Sequence, residues 1–297
     1  MENKDYNKTN INLFIIIFGL IIFITKWYYS YYYFDEEIEA KIIFESVSDG
    51  YYNFAPFKAL ANLNLNNSFS PLIDNLGTIT IPMGVFALHF IFYSIIGTYS
   101  FVILEFFFII FFLIIFYKIS RLLDLNRIQS LAAAIILFNI PNILGVLNLY
   151  NLEYFRVIFS NFYSFRFPRP IVSNILFFLF IFLLLKSDKK KIFTKKNSII
   201  FGIISSLLFT SYFHAFFLQQ IVLIIYLVFK FKSKIIQILK INISYILIYV
   251  LTFLLVSSPF LINMFFADAD FLQRNGLVVF DFKKKINFNK IFIFKII

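Results

Sequence analysis

The chain contains no cysteine, which removes disulfides, thiolate metal ligands and cysteine nucleophiles in one step and leaves the compartment open. Histidine is almost as scarce. His89 and His214 stand alone on apolar runs, where an imidazole is more often packed or hydrogen-bonded inside a bundle than bound to a metal. No glycine-rich phosphate loop, HExxH pair or nucleophile elbow occurs, so nothing supports a soluble-type ATPase, a zincin or a serine hydrolase. Charge is thin as well, at 14% of residues. Neither repeats nor a soluble domain are visible, and residues 1–297 read as a single integral membrane domain.

What is present points one way. The chain is 61% hydrophobic and 22% aromatic, with 46 Phe and 18 Tyr, and its mean hydropathy is +0.84. A soluble protein of 297 residues cannot hide that much apolar surface, so the composition predicts an all-α, polytopic membrane helix bundle. The net charge of +11 is then no sign of nucleic-acid binding. Lysine collects in cytoplasmic loops of membrane proteins, where it fixes orientation and meets anionic lipid.

The first apolar run, about Ile11 to Ile24, lacks a small-residue cleavage site and is followed by Lys26 and the aromatic stretch Trp27 to Tyr33. It reads as a retained span with an interfacial belt, not a removed signal peptide. About seven spans are expected, near 11–25, 99–117, 128–148, 171–185, 198–213, 215–229 and 241–264. Residues 81–96 are apolar but short and carry Pro82 and His89. With that stretch lying in the interface or re-entering, three loops share one face: 118–127 at +2, 186–196 at +5 and 230–240 at +4. The positive-inside rule then puts the N-terminus in the cytoplasm of what reads as a bacterial inner membrane. Five lysines after Asp281 fall on the wrong face, which predicts either a further crossing near Gly276 to Phe282 or an incomplete chain.

Two outward loops hold the chemistry. Loop 34–80 carries seven carboxylates against Lys41 and Lys58, a net −5; its 36–46 stretch fits a short helix lying on the membrane. Carboxylates crowded at a bilayer surface raise one another's pKa, which suits a reaction centre. The bland alternative is a solvated acidic loop that helps set topology. Loop 149–170 holds Arg156, Arg166 and Arg169, with Glu153 and no lysine. A guanidinium fork grips phosphate through two parallel hydrogen bonds, as lysine cannot. Interfacial anchoring or pairing with the acidic loop is the competing reading. Glu105 is the lone carboxylate inside a span, and either a function or pairing with a neighbouring helix would account for it.

The order of features is more specific than any one of them. Asp35-Glu36 opens a short helix through Ala40, Phe44 and Glu45, and Asp49-Gly50-Tyr51-Tyr52 follows. Pro82 opens a second helix that ends at Gly97. Tyr99-Ser100-Phe101 leads into a long span closed by basic residues, the next span ends at Pro141, and Glu153, Tyr154 and Arg156 come after it. This order resembles the GT-C superfamily of membrane glycosyltransferases, such as the lipid A aminoarabinose transferases and protein mannosyltransferases, over about Ile11 to Pro170.

The resemblance implies a GT-C-like fold and transfer of a sugar from a polyprenyl-phosphate donor to an acceptor at the outer face. It carries the catalytic role to Asp35 with Glu36 as companion, and Asp49 is a rival for that position. Arg156, Arg166 and Arg169 would then meet the lipid phosphate. Family members usually show paired prolines or Lys-Pro where this chain has Ile81-Pro82. The implied partners are membrane lipid and the polyprenyl-phosphate sugar; a divalent metal cofactor and the oligomeric state are left open. A transporter or lipid flippase is the alternative function, and a non-catalytic membrane scaffold the third.

Overall fold

Helix follows helix through every segment that the computed structural model describes, namely residues 3–34, 83–146, 171–188 and 192–266. No strand occurs among these residues. In chain order the helices are α1 (Asn3–Phe34), α2 (Met83–Ile96), α3 (Tyr99–Leu122), α4 (Arg127–Val146), α5 (Ile171–Asp188), α6 (Lys195–Ser211), α7 (Phe213–Phe231), α8 (Ile235–Ile241) and α9 (Ile243–Phe266). Over its described residues, each of the seven expected spans lies mostly within a helix. Two of them, Tyr99–Leu122 and Ile243–Ile262, are long and apolar enough to cross a membrane, and the apolar stretches of α1, α4 and α5 are shorter.

Local chemistry sets the turns. Gly97, at φ 59°, ends α2 by donating its N–H to the Tyr93 carbonyl at 2.8 Å; a left-handed residue at that position favours glycine. Asp124 (φ 64°) turns the chain between α3 and α4. Asn126 and Gln129 then exchange backbone-to-side-chain bonds of 2.9 and 3.1 Å at the start of α4, a reciprocal cap for two otherwise orphaned donors. Thr194 caps α6 by accepting from the Asn197 N–H at 3.2 Å.

Three expectations need adjusting. α1 does not stop before the aromatic belt but runs through it to Phe34, and α4 runs past Pro141 to Val146. Extended Tyr212 (φ −152°, ψ 96°) alone separates α6 from α7. α9 likewise continues through Pro259. Proline lacks the N–H that would bond the Leu255 carbonyl, and the Ser258 hydroxyl donates to that oxygen instead at 2.8 Å.

Phenylalanine makes the core. Phe112 packs edge-on against Phe116, Phe138 and Phe178 at centroid separations of 4.6, 5.9 and 5.8 Å, tying α3 to α4 and α5. Phe209 of α6 meets Phe213, Phe216, Phe253 and Phe260 at 5.3 to 5.8 Å, tying it to α7 and α9. Edge-to-face pairs of this kind add roughly 0.5–1.5 kcal/mol each beyond the area they bury.

Polar side chains share the interior with this apolar core, and large apolar side chains also face outward. His89, Ser100, Glu105, Ser130, Ser173, Ser205 and Gln219 are buried, while Leu13, Ile17 and Ile21 of α1, Ile221 and Ile224 of α7, and Leu251 and Leu255 of α9 are exposed. The broad exposed apolar faces suit a hydrocarbon surround better than water.

Candidate functional site

All six candidate residues from the sequence, Asp35, Glu36, Asp49, Arg156, Arg166 and Arg169, lie outside the described residues, as does the expected short helix at 36–46. The helices flanking their loops are described, and they define where each loop leaves the bundle.

The two ends of the bundle differ in charge. Lys118 of α3 and Lys186 of α5 both lie over the ring of Phe182, at 5.9 and 5.7 Å from its centroid, so the C-terminal ends of these two helices sit together. Phe193, ahead of α6, stacks on Phe231 at the end of α7, 6.1 Å away. These contacts bring the 118–127, 186–196 and 230–240 segments to one end, with Arg121, Arg127, Lys195, Lys196, Lys230 and Lys240 on them. The sequence expectation that the basic loops share a face therefore holds for their described residues.

The opposite end collects the loop attachments. α1 runs antiparallel to α3, with Gly19 against Ile110, Phe23 5.2 Å from Phe106, and the Trp27 indole N–H donating to Glu105 at 2.9 Å. The C-terminus of α1, from which the acidic segment departs, is thus on the far side from the lysines. α4 folds back along α3 through Phe112 and Phe138, so Val146 ends on that side too. α5 starts there, and its first residues, Ile171 to Asn174, are all buried.

α2 fills the same half of the bundle. The His89 ring is wedged between Phe101 and Phe108 at 6.0 and 5.8 Å, and its Nδ1 donates to the Val85 carbonyl at 3.1 Å. Gly84 abuts the last turns of α6, where an added Cβ would come within 2.5 Å of the Leu207 carbonyl oxygen. At its other end α2 passes through Gly97 and Thr98 straight into the start of α3, so both ends of α2 lie beside helix ends of one face. At about 21 Å this helix is also shorter than the ~30 Å hydrocarbon layer. His214, by contrast, is exposed and packs edge-on against Tyr212 at 5.6 Å.

One constellation was not anticipated from sequence. Ser205 of α6 accepts from Gln219 Nε2 at 2.7 Å and from the Tyr249 hydroxyl at 3.0 Å, and Gln220 Nε2 donates to Tyr249 at 3.0 Å. Ser205 and Gln219 are fully buried. Gly202 admits α9 so closely that a Cβ would lie 2.8 Å from the Tyr249 carbonyl oxygen. The signal was available: Gly202, Ser205, Ser206 and Thr210 put small residues on one face of an apolar helix, the pattern by which membrane helices approach.

No group of three His, Asp or Glu residues able to hold a metal ion occurs among the described residues. No protein-family model, curated protein or solved structure matches the chain.

Proposed function

We propose that this chain is an integral membrane glycosyltransferase of GT-C type, moving a sugar from a polyprenyl-phosphate donor to an acceptor at the membrane face away from the lysines. One observation carries the reading. The helices flanking the carboxylate-rich segment and the arginine segment, α1 and α2 for one and α4 and α5 for the other, meet at the same end of the bundle, opposite the basic end. The apolar exterior supports embedding in a membrane, and positive-inside orientation makes the lysine end cytoplasmic, with the N-terminus.

In this reading Asp35, with Glu36 beside it, accepts the proton of the acceptor hydroxyl as that oxygen bonds to the anomeric carbon. The bond from that carbon to the phosphate oxygen breaks, and polyprenyl phosphate leaves with the electron pair. Arg156, Arg166 or Arg169 stabilises the charge that grows on it. The part-buried Ser205–Gln219–Gln220–Tyr249 network favours one other reading, a transporter or flippase, because polar groups inside a bundle often line a path.

The test is a transfer assay on membranes supplied with a pool of polyprenyl-phosphate sugars. Asp35→Asn keeps the shape and removes the base, so transfer should fall by roughly 100- to 10,000-fold while insertion is unchanged. Full activity in Asp35→Asn with loss in Asp49→Asn would move the role to Asp49. Full activity in both would end the enzyme reading of this segment and leave transport.

A further inference from the structure

We propose that the basic end of the bundle is a binding surface for anionic phospholipid headgroups, centred on Lys118 and Lys186. The inference rests on the membrane embedding proposed above, but on neither candidate loop. Two ammonium groups from different helices are held over one ring, Phe182, and neither forms an ion pair among the described residues. Like charges brought together in this way favour an anion between or beside them. A lipid phosphate arriving from the adjoining leaflet is the nearest source.

The chemistry of the surrounding surface selects lipid over other anions. The 3₁₀ turn Lys232–Lys234 and α8 lie at the same end, between α7 and α9. There the exposed lysines Lys234 and Lys240 alternate with Ile236 and Ile241, which are 66% and 70% exposed. A nucleic acid or an acidic protein would meet the lysines but leave those isoleucines in water. The boundary between headgroups and acyl chains takes both, with lysine stems lying along the apolar layer and ammonium groups reaching the phosphates. Attraction to helix C-termini accounts for one lysine on each helix, but not for exposed isoleucines beside lysines on α8.

The experiment uses the full chain in mild detergent, with native mass spectrometry counting bound lipid as phosphatidylglycerol or phosphatidylcholine is added. Wild type should retain phosphatidylglycerol in preference, and the preference should shrink as salt rises. Lys118→Gln with Lys186→Gln should lower phosphatidylglycerol affinity by about five-fold per lysine and leave phosphatidylcholine unaffected. The paired Arg variants should keep the preference, and Lys58→Gln should change nothing. If the Gln pair does not fold, Lys234→Gln with Lys240→Gln, at exposed positions, carries the same test. Equal retention of both lipids by wild type, or undiminished phosphatidylglycerol affinity in the Gln variants, would overturn the proposal. Recovery of the chain from buffer without detergent would instead overturn the membrane reading beneath it.

Discussion

Trp27 and Glu105 are 78 residues apart in sequence, yet the indole N–H donates to the carboxylate across 2.9 Å. The bond fastens α1 to α3 about two helical turns before the end of α1, so that part of α1 is held by a side-chain contact as well as by packing.

A double-mutant cycle should measure that fastening. Trp27→Phe, Glu105→Leu and the double variant, unfolded in detergent, should give a coupling of roughly 0.6–2 kcal/mol, the range of interhelical hydrogen bonds in membranes. Glu105→Gln keeps an acceptor oxygen and should cost less than Glu105→Leu. Additive single effects would mean that the pair contributes nothing.

Orientation is testable against a silent background, because the chain has no cysteine of its own. A cysteine at Asn66 should react with an impermeant thiol reagent on intact cells, and one at Lys190 should react only after lysis. Labelling of the second alone would invert the topology.

Two glycines should respond differently to alanine. Gly84→Ala drives a Cβ into the Leu207 backbone carbonyl and should lower stability by about 1–3 kcal/mol, with valine worse. At Gly97 space is open but φ is positive, so alanine there should cost about 1 kcal/mol, and asparagine less. Thermal unfolding in detergent would separate the two, and equal costs would contradict the packing of α2 on α6.

The arginine segment makes a prediction about geometry beyond charge. Arg166→Ala or Arg169→Ala should raise the donor concentration needed for half-maximal transfer, and Arg→Lys should restore it only in part, since the fork is lost. Complete rescue by lysine would reduce these residues to interfacial anchors.

Most of the architecture was legible, because lipid-scale periodicity and loop charge are written locally. The apolar runs mark the helices, Gly97 marks the end of α2, and the basic segments mark one end of the bundle. One feature was hidden for a physical reason: the Trp27–Glu105 bond joins positions that no local pattern connects. The expected spans 198–213 and 215–229 put the break between α6 and α7 within two residues of Tyr212, and the expected span 241–264 runs through Pro259, where the Ser258 hydroxyl takes over the carbonyl that proline leaves. Of the candidate site, the sequence named side chains and the fold adds the shared end from which their loops emerge.

The single-residue joint at Tyr212 also bears on how the protein is made. In the membrane reading proposed above, with no linker between them, α6 and α7 would enter a bilayer as a hairpin and not one after the other. Seven residues on either side of the joint, Ser205 and Gln219 already face each other. The Gln219 Nε2 and the Ser205 hydroxyl would then cross the headgroups already bonded, which lowers the cost of carrying that donor and acceptor into hydrocarbon. Biogenesis would then wait on this hairpin, with α9 arriving afterwards to close Tyr249 over a pair that is already made.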